Sequence, residues 1–313
     1  EIAKVRVKDE AVFQRTGVDL RDYWKRVRHQ TEYRTGRRFR MGDLKLMDFM
    51  AIKARYTVQG LENFLRTEIL KGADRFEDLK CELYIMGIEL DNPRTVVFGE
   101  KTSEQINDYV YISGVDVSVA AACSMALPPI YAPYPVEREG KRVFYINKEL
   151  RDPFSTNVAE ESGADLVFVS CVYQAYQFSD TFGSMFDRGF LGVYPQSRDQ
   201  SMDAKRQMAI YNRRRIHRTI QAVEALADHM LSAEQRDALM KVLEMHLEYR
   251  RRNTLIYISP VKDIDLYRVD PFDLTEGTKR LVMIKGYDRT FRALEEQGYL
   301  RRSAKVFAPT GAV

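Results

Sequence analysis

Serine, cysteine, histidine and carboxylate side chains set the chemistry open to this chain, and their spacing removes most of it. Acyl transfer by a serine asks for a Gly-x-Ser-x-Gly turn between strand and helix, so that the hydroxyl enters a cleft beside backbone N–H donors. The sequence contains no such pattern and no Gly-rich run able to serve as an oxyanion loop. Ser124 lies inside an Ala-rich stretch and reads as a packing residue, and Ser184 follows Gly183 without the second glycine. Asp152, in Arg151-Asp152-Pro153, reads as a turn residue or a partner for an arginine. Cys81, Cys123 and Cys171 are widely spaced with no CxxC, which suggests buried thiols in a reducing, cytoplasmic setting. His29, His217, His229 and His246 form no HExxH-type pair, so neither a metal nor another cofactor is expected.

Two further groups bear on partners. Tyr173, Tyr176 and Phe178, followed by Phe182 and Phe186, are candidates for the wall of an acyl-binding cleft, with core packing as the competing reading. The 49 basic and 45 acidic residues leave a net charge of only +4, so the distribution matters more than the sum. Arg21, Lys25, Arg26, Arg28, Arg34, Arg37, Arg38 and Arg40 face only Asp22 and Glu32, and Lys205, Arg206, Arg213, Arg214, Arg215 and Arg218 form a second run. Solvated helix faces would explain both runs. The functional alternative is attraction to an anionic membrane surface, with Arg34, Arg37, Arg38, Arg40, Arg213, Arg214 and Arg215 facing it. No recognised nucleic-acid module accompanies the arginines, so nucleic acid is not expected as a partner.

The elements that must position these groups follow from periodicity. With 313 residues, 45% of them hydrophobic and 30% charged, the chain can bury a large core and is not of a disordered class. The opening Glu1-Ile2-Ala3-Lys4 has no signal-peptide succession. Residues 117–136 carry no charge, but Pro128, Pro129, Pro133 and Pro135 exclude a membrane-spanning helix. Helices are expected at 19–32 and 43–70, the second interrupted near Gly60, and strands at 79–88 and 95–98 around an Asn92-Pro93 turn. A buried helix is expected at 115–125 starting near Asp116, a strand at 142–146, and a short helix at 158–162 capped by Gly163. The apolar run at 165–171 reads as a strand covered on both faces. Residues 202–252 read as a helical elaboration with an apolar set of Met208, Tyr211, Ile216, Ile220, Val223 and Leu226. Beyond a cap near Ser232 and Glu234 the set continues as Leu239, Val242, Leu243, Met245 and Leu247. A strand at 254–259, a helix at 279–297 ending at Gly298, and a tail at 303–313 close the chain.

Four stretches in order resemble the patatin-like family. Phe76-Glu77-Asp78-Leu79-Lys80-Cys81-Glu82-Leu83-Tyr84-Ile85, with Leu90-Asp91 and Val96-Val97-Phe98, is similar to its strand pair. Residues 120–133, from Ala120-Ala121-Ala122-Cys123-Ser124 to Leu127-Pro128-Pro129 and Pro133, look like its helix and proline turn. Tyr145-Ile146-Asn147-Lys148-Glu149-Leu150-Arg151-Asp152-Pro153-Phe154 stands where the family has Tyr-x-Asp-Gly-Gly-x-x-x-Pro, and Gly163-Ala164-Asp165 with Val167-Phe168-Val169 continues it. Ile258-Ser259-Pro260, through Asp273 to Gly286-Tyr287-Asp288, is similar to the closing strand and helix. The likeness covers roughly residues 42–297 within an incomplete domain of residues 1–302.

The resemblance implies an α/β, three-layer fold with a central, mostly parallel sheet flanked by helices, and hydrolysis of lipid acyl esters by a serine–aspartate dyad. It also implies that the serine elbow lies N-terminal to everything described, since Glu1-Ile2-Ala3 resembles the stretch just after the serine-bearing helix. At the aspartate this sequence departs from the pattern. Asn147 matches the Asp in shape but has no useful basicity near neutral pH, and Lys148 replaces a glycine that lets the backbone approach closely. The expectation is therefore an impaired or inactive relative, peripheral to a membrane, or one that binds a lipid, a protein partner or a second copy of itself. The alternative is an active serine-dyad enzyme whose serine lies on a preceding or separate segment.

Overall fold

The computed structural model describes residues 14–15 and 56–300, except 102, 107–108, 129, 153, 172–174, 248, 250–252, 261–262, 264, 267–268 and 270–274. The helix expected at 19–32, the first part of that at 43–70 and the tail at 303–313 lie outside the described residues. The chain divides into two compact units, Glu1–Arg151 and Asp152–Val313, and each is α/β in character.

In the first unit the short strands β1 (Gln14–Arg15) and β2 (Tyr56–Thr57) pair antiparallel. Helix α1 (Gln59–Phe64) follows and runs on as a π-helical turn over Leu65–Leu70. The interruption expected near Gly60 falls just before it, at β2 and Val58, and Gly60 itself sits in the first turn of α1. Strands β3 (Ile85–Glu89), β4 (Thr95–Phe98), β5 (Ser103–Ile106), β6 (Tyr109–Ile112), β7 (Tyr134–Arg138) and β8 (Lys141–Asn147) form a six-stranded sheet in the order β5-β6-β4-β3-β8-β7. Only β4 with β6 is parallel; the other four pairings are antiparallel. The sheet is therefore mixed, and the mostly parallel sheet expected from the sequence is not what these strands form. Short connections account for three of the antiparallel pairs, β3–β4, β5–β6 and β7–β8, because a parallel neighbour needs a crossover of a dozen or more residues, while β3 and β8 pair antiparallel across a long separation in sequence. The β7–β8 turn is a two-residue loop, Glu139-Gly140, with φ of 51° and 72°. Two positive φ values belong to the hairpin turn whose twist matches the strands it joins.

Helix α2 (Val117–Met125) packs against β3, β7 and β8. Its residues are mostly small and apolar, with Val117, Ser118, Ala120, Ala122 and Cys123 buried, Val119, Ala121 and Ser124 half-buried and Met125 exposed at its end. Ala120, Ala122 and Cys123 are fully buried, and Cys123 stands over Gly87 of β3, where an added Cβ would lie 4.0 Å from its own. The same core takes in Val96 and Phe98 of β4 and Tyr145 of β8, the Phe98 and Tyr145 rings meeting edge-on at 5.4 Å. By alternation Met86, Ile88 and Val97 point to the other face of the sheet, and they too are buried.

The second unit holds α3 (Thr156–Glu161), β9 (Leu166–Ser170), α4 (Phe190–Met230), α5 (Ala233–His246), β10 (Thr254–Ile258) and α6 (Glu276–Glu296). Gly163, at φ 91°, closes α3, as its sequence position suggested. β9 pairs in parallel with β10 and, among the described residues, with no other strand. The expected double cover of 165–171 is accordingly corrected: Leu166 and Phe168 are exposed and Val169 alone of the strand is buried. α4 starts before residue 202 and carries Pro195 inside it, and Ser232 opens α5 through a capping box with Gln235 rather than Glu234. The α4–α5 seam is Ile216, Ile220, Met240, Leu243, Leu247 and Tyr249. Met208, Tyr211, Leu226, Val242 and Met245, grouped with that seam by sequence, are exposed, because two packed helices bury only the stripe each turns to the other.

Candidate functional site

Asn147 ends β8, where it pairs with Gly87 of β3, and its N–H donates to the Ala126 carbonyl just past α2 at 2.8 Å. Its side chain is equally committed. Oδ1 accepts the Glu149 N–H at 2.7 Å, which makes Asn147 the N-cap of the 3₁₀ turn Lys148–Leu150. The Lys148 carbonyl closes that turn by accepting the Arg151 N–H at 2.9 Å. Lys148 is 4% exposed and is not among the residues with positive φ. A glycine is thus not demanded by the backbone at this turn, and a lysine stem occupies space that a glycine would leave open.

Chemically the corner is a hydrogen-bonded turn. An amide at 147 donates and accepts but does not take a proton, so Asn147 itself cannot act as a general base. Asp152 behaves as the turn residue expected, its Oδ1 accepting the Phe154 N–H at 3.1 Å. Ser184 does likewise, its Oγ accepting the Phe186 N–H at 3.1 Å. Ser124 is half-buried within α2.

The cysteine expectation holds for one residue of three. Cys123 is buried, and burial pushes its thiol up to about 12, where it is inert. Cys81 is exposed, correcting its reading as a buried thiol, because it lies in the irregular stretch ahead of β3. Cys171 is half-buried with the Arg206 guanidinium 3.7 Å from Sγ.

The aromatic candidates part company. Tyr176 is buried, and its hydroxyl donates to the Gly183 carbonyl at 2.7 Å and accepts the Ser179 N–H at 2.9 Å, tying a loop together. Its backbone exchanges two hydrogen bonds with the Gln196 side chain of α4. Phe178 is 70% exposed, and Tyr173 lies outside the described residues. Of the arginines, Arg34, Arg37, Arg38 and Arg40 lie outside the described residues. Arg213 is an internal partner: Nη1 reaches both Glu160 oxygens at 2.8 Å, and its guanidinium lies over the Tyr249 ring, 4.7 Å from the centroid. Arg214 and Arg215 are exposed.

The sequence reading missed a buried polar network at the start of α2. Asp74 takes the Ser118 N–H at 2.8 Å on Oδ1 and the Ser118 hydroxyl at 2.7 Å on Oδ2, while its carbonyl accepts the Val117 N–H at 2.7 Å. The helix is thereby capped from 44 residues away. Arg66 joins in through Glu62 at 2.6 Å, Asp74 at 3.1 Å and Asp116 at 2.9 Å. Glu62 above all holds the guanidinium more firmly protonated than usual. Ser118 is fully buried, so the network is architectural. Its Glu62/Arg66 pair was readable as an i,i+4 spacing. The partners from elsewhere in the chain were not. Beside it, Arg75, Phe76, Gly99, Gly114 and Asp116 help to line a cleft of about 210 Å³, small against the roughly 300–1,000 Å³ usual for ligand sites.

No protein-family model matches the chain, and no curated protein matches it.

Proposed function

We propose that the chain carries the patatin-like, three-layer fold of a lipid acyl hydrolase and is catalytically impaired at Asn147. One observation carries the reading. The residue at the family's aspartate position is an amide whose carbonyl oxygen caps its own turn at 2.7 Å, with the buried Lys148 beside it. Supporting it, the strand pair, the Ala-rich helix and the Asn147 strand, which the resemblance relates, adjoin in one unit. β3 pairs with β4 and β8, and the Asn147 N–H meets the carbonyl that follows α2.

A second reading, a non-catalytic binding or assembly protein on the same fold, is favoured by the apolar side chains left exposed on α4 and α5. Lipid or membrane is the partner under the first reading; a protein or a second copy is the partner under the second.

Ester hydrolysis by the full-length gene product, compared with its Asn147→Asp/Lys148→Gly variant, tests the first reading. The unmodified protein should turn over poorly, and the double variant should gain on the order of a hundredfold or more, the size of a restored general base. Robust turnover by the unmodified protein would support the remaining alternative, a working dyad with its serine on a preceding or separate segment, and would sink the impairment. No turnover by either protein sinks the claim that Asn147 alone disables the dyad.

A further inference from the structure

At about 100° per residue, six exposed residues of α4 fall on one arc of about 120°: Met208, Tyr211, Arg214, Arg215, Arg218 and Leu226. The opposite side of the helix carries Ile216 and Ile220 into the seam with α5. No acidic residue of 201–230 shares the arc. Asp203, Glu224 and Asp228 project to the flank and back, Asp203 held by Arg206 and Asp228 by Arg236 at 2.7 Å. The result is a face along roughly 27 Å of helix with three arginines gathered in about one turn, Met208 and Tyr211, 60% and 62% exposed, on their N-terminal side, and Leu226, 62% exposed, on their C-terminal side.

We propose that this face of α4 docks on an anionic lipid bilayer. Lipid headgroups pair with guanidinium groups, and the layer beneath them takes a thioether and a phenol ring, so one occupant uses both halves of the pattern. An acidic peptide or a nucleic-acid backbone would use the arginines but gain little from Met208 and Leu226. Arg213, adjacent in sequence, is not part of the face, since it turns inward to Glu160. Arg218 takes its place. The proposal rests on the lipid-directed reading above for its choice of occupant, but its test involves no turnover, so either can fail alone.

The test is co-sedimentation of the full chain with phosphatidylcholine vesicles and with vesicles of phosphatidylcholine and phosphatidylserine. Binding should require phosphatidylserine and weaken as salt is raised. The triple variant Arg214→Gln/Arg215→Gln/Arg218→Gln should lose on the order of a hundredfold in affinity, and each single variant about fivefold. Tyr211→Ser should weaken binding while leaving the dependence on phosphatidylserine in place. Unaltered thermal melting of the triple variant shows that the loss is not unfolding; if it melts early, the single variants decide. No binding to either vesicle, equal binding to both, or full binding by the arginine variants overturns the proposal. So does duplex DNA binding that the same variants abolish while vesicle binding is unchanged.

Discussion

In the first unit α2 sinks small apolar residues into a sheet whose strand β4 is buried at every position, and the core closes on itself. In the second unit the α4–α5 hairpin buries a narrow seam and leaves Met208, Tyr211, Leu226, Met230, Val242 and Met245 in solvent. The same residue types are thus spent on folding in one place and left available in the other. A sheet face covered by a helix gives every inward side chain neighbours on all sides, whereas a pair of helices covers about a third of each. Exposed apolar surface of this kind is a mark of interaction surfaces, which directs attention to the second unit for partners.

The sharpest way to break this contrast is inside the first core. Phe98 is fully buried, edge-on to Tyr145 and close to Gly87. Phe98→Ala should lower unfolding free energy by about 3–5 kcal/mol, because strands on either side hold the cavity open. Urea denaturation measures it. A loss under about 1 kcal/mol would mean that the core collapses around the gap and is not tightly closed.

Ile220 is the matching position in the second unit, 1% exposed against Met240 and Tyr249. Ile220→Ala should destabilise by about 2–5 kcal/mol, toward the lower end, since Ile216, Leu243 and Leu247 around it are only half-buried and can move into the space. A loss as large as that of Phe98→Ala would mean that the seam is as rigid as the sheet core. The contrast between the units would then rest on exposure alone.

How much of this was legible in the sequence varies with the range of the forces involved. Helix α2 and its start after Asp116, the turn at Asn92-Pro93, the Gly163 cap and the Ser232 break are local matters of propensity and capping, and they stand where the residues put them. The hairpin partner β7 was missed although Glu139-Gly140 between alternating residues is a local signal, because the prolines around it read as loop. Burial on both faces of β9 was misread because an apolar run states what could be covered, not what arrives to cover it. At the candidate site the identity of Asn147 was fully legible. Its engagement as an N-cap, the burial of Lys148, and the capping of α2 by Asp74 depend on contacts that only the folded chain makes.

The smallest expected effect separates the two uses of apolar residues most cleanly. Tyr211, 62% exposed on α4, belongs to the apolar set that sequence periodicity gave this helix. If it contributes to folding, Tyr211→Ser costs stability, as removal of any packed aromatic ring does. If the face is a docking surface, the change lies within about 0.5 kcal/mol, the range of surface substitutions away from special features. A melting curve and a vesicle titration on the same variant then read opposite quantities. Unchanged melting with weakened binding assigns the ring to the partner. A loss of stability above about 1 kcal/mol would assign Tyr211 to folding and remove the claim that this unit holds apolar surface in reserve.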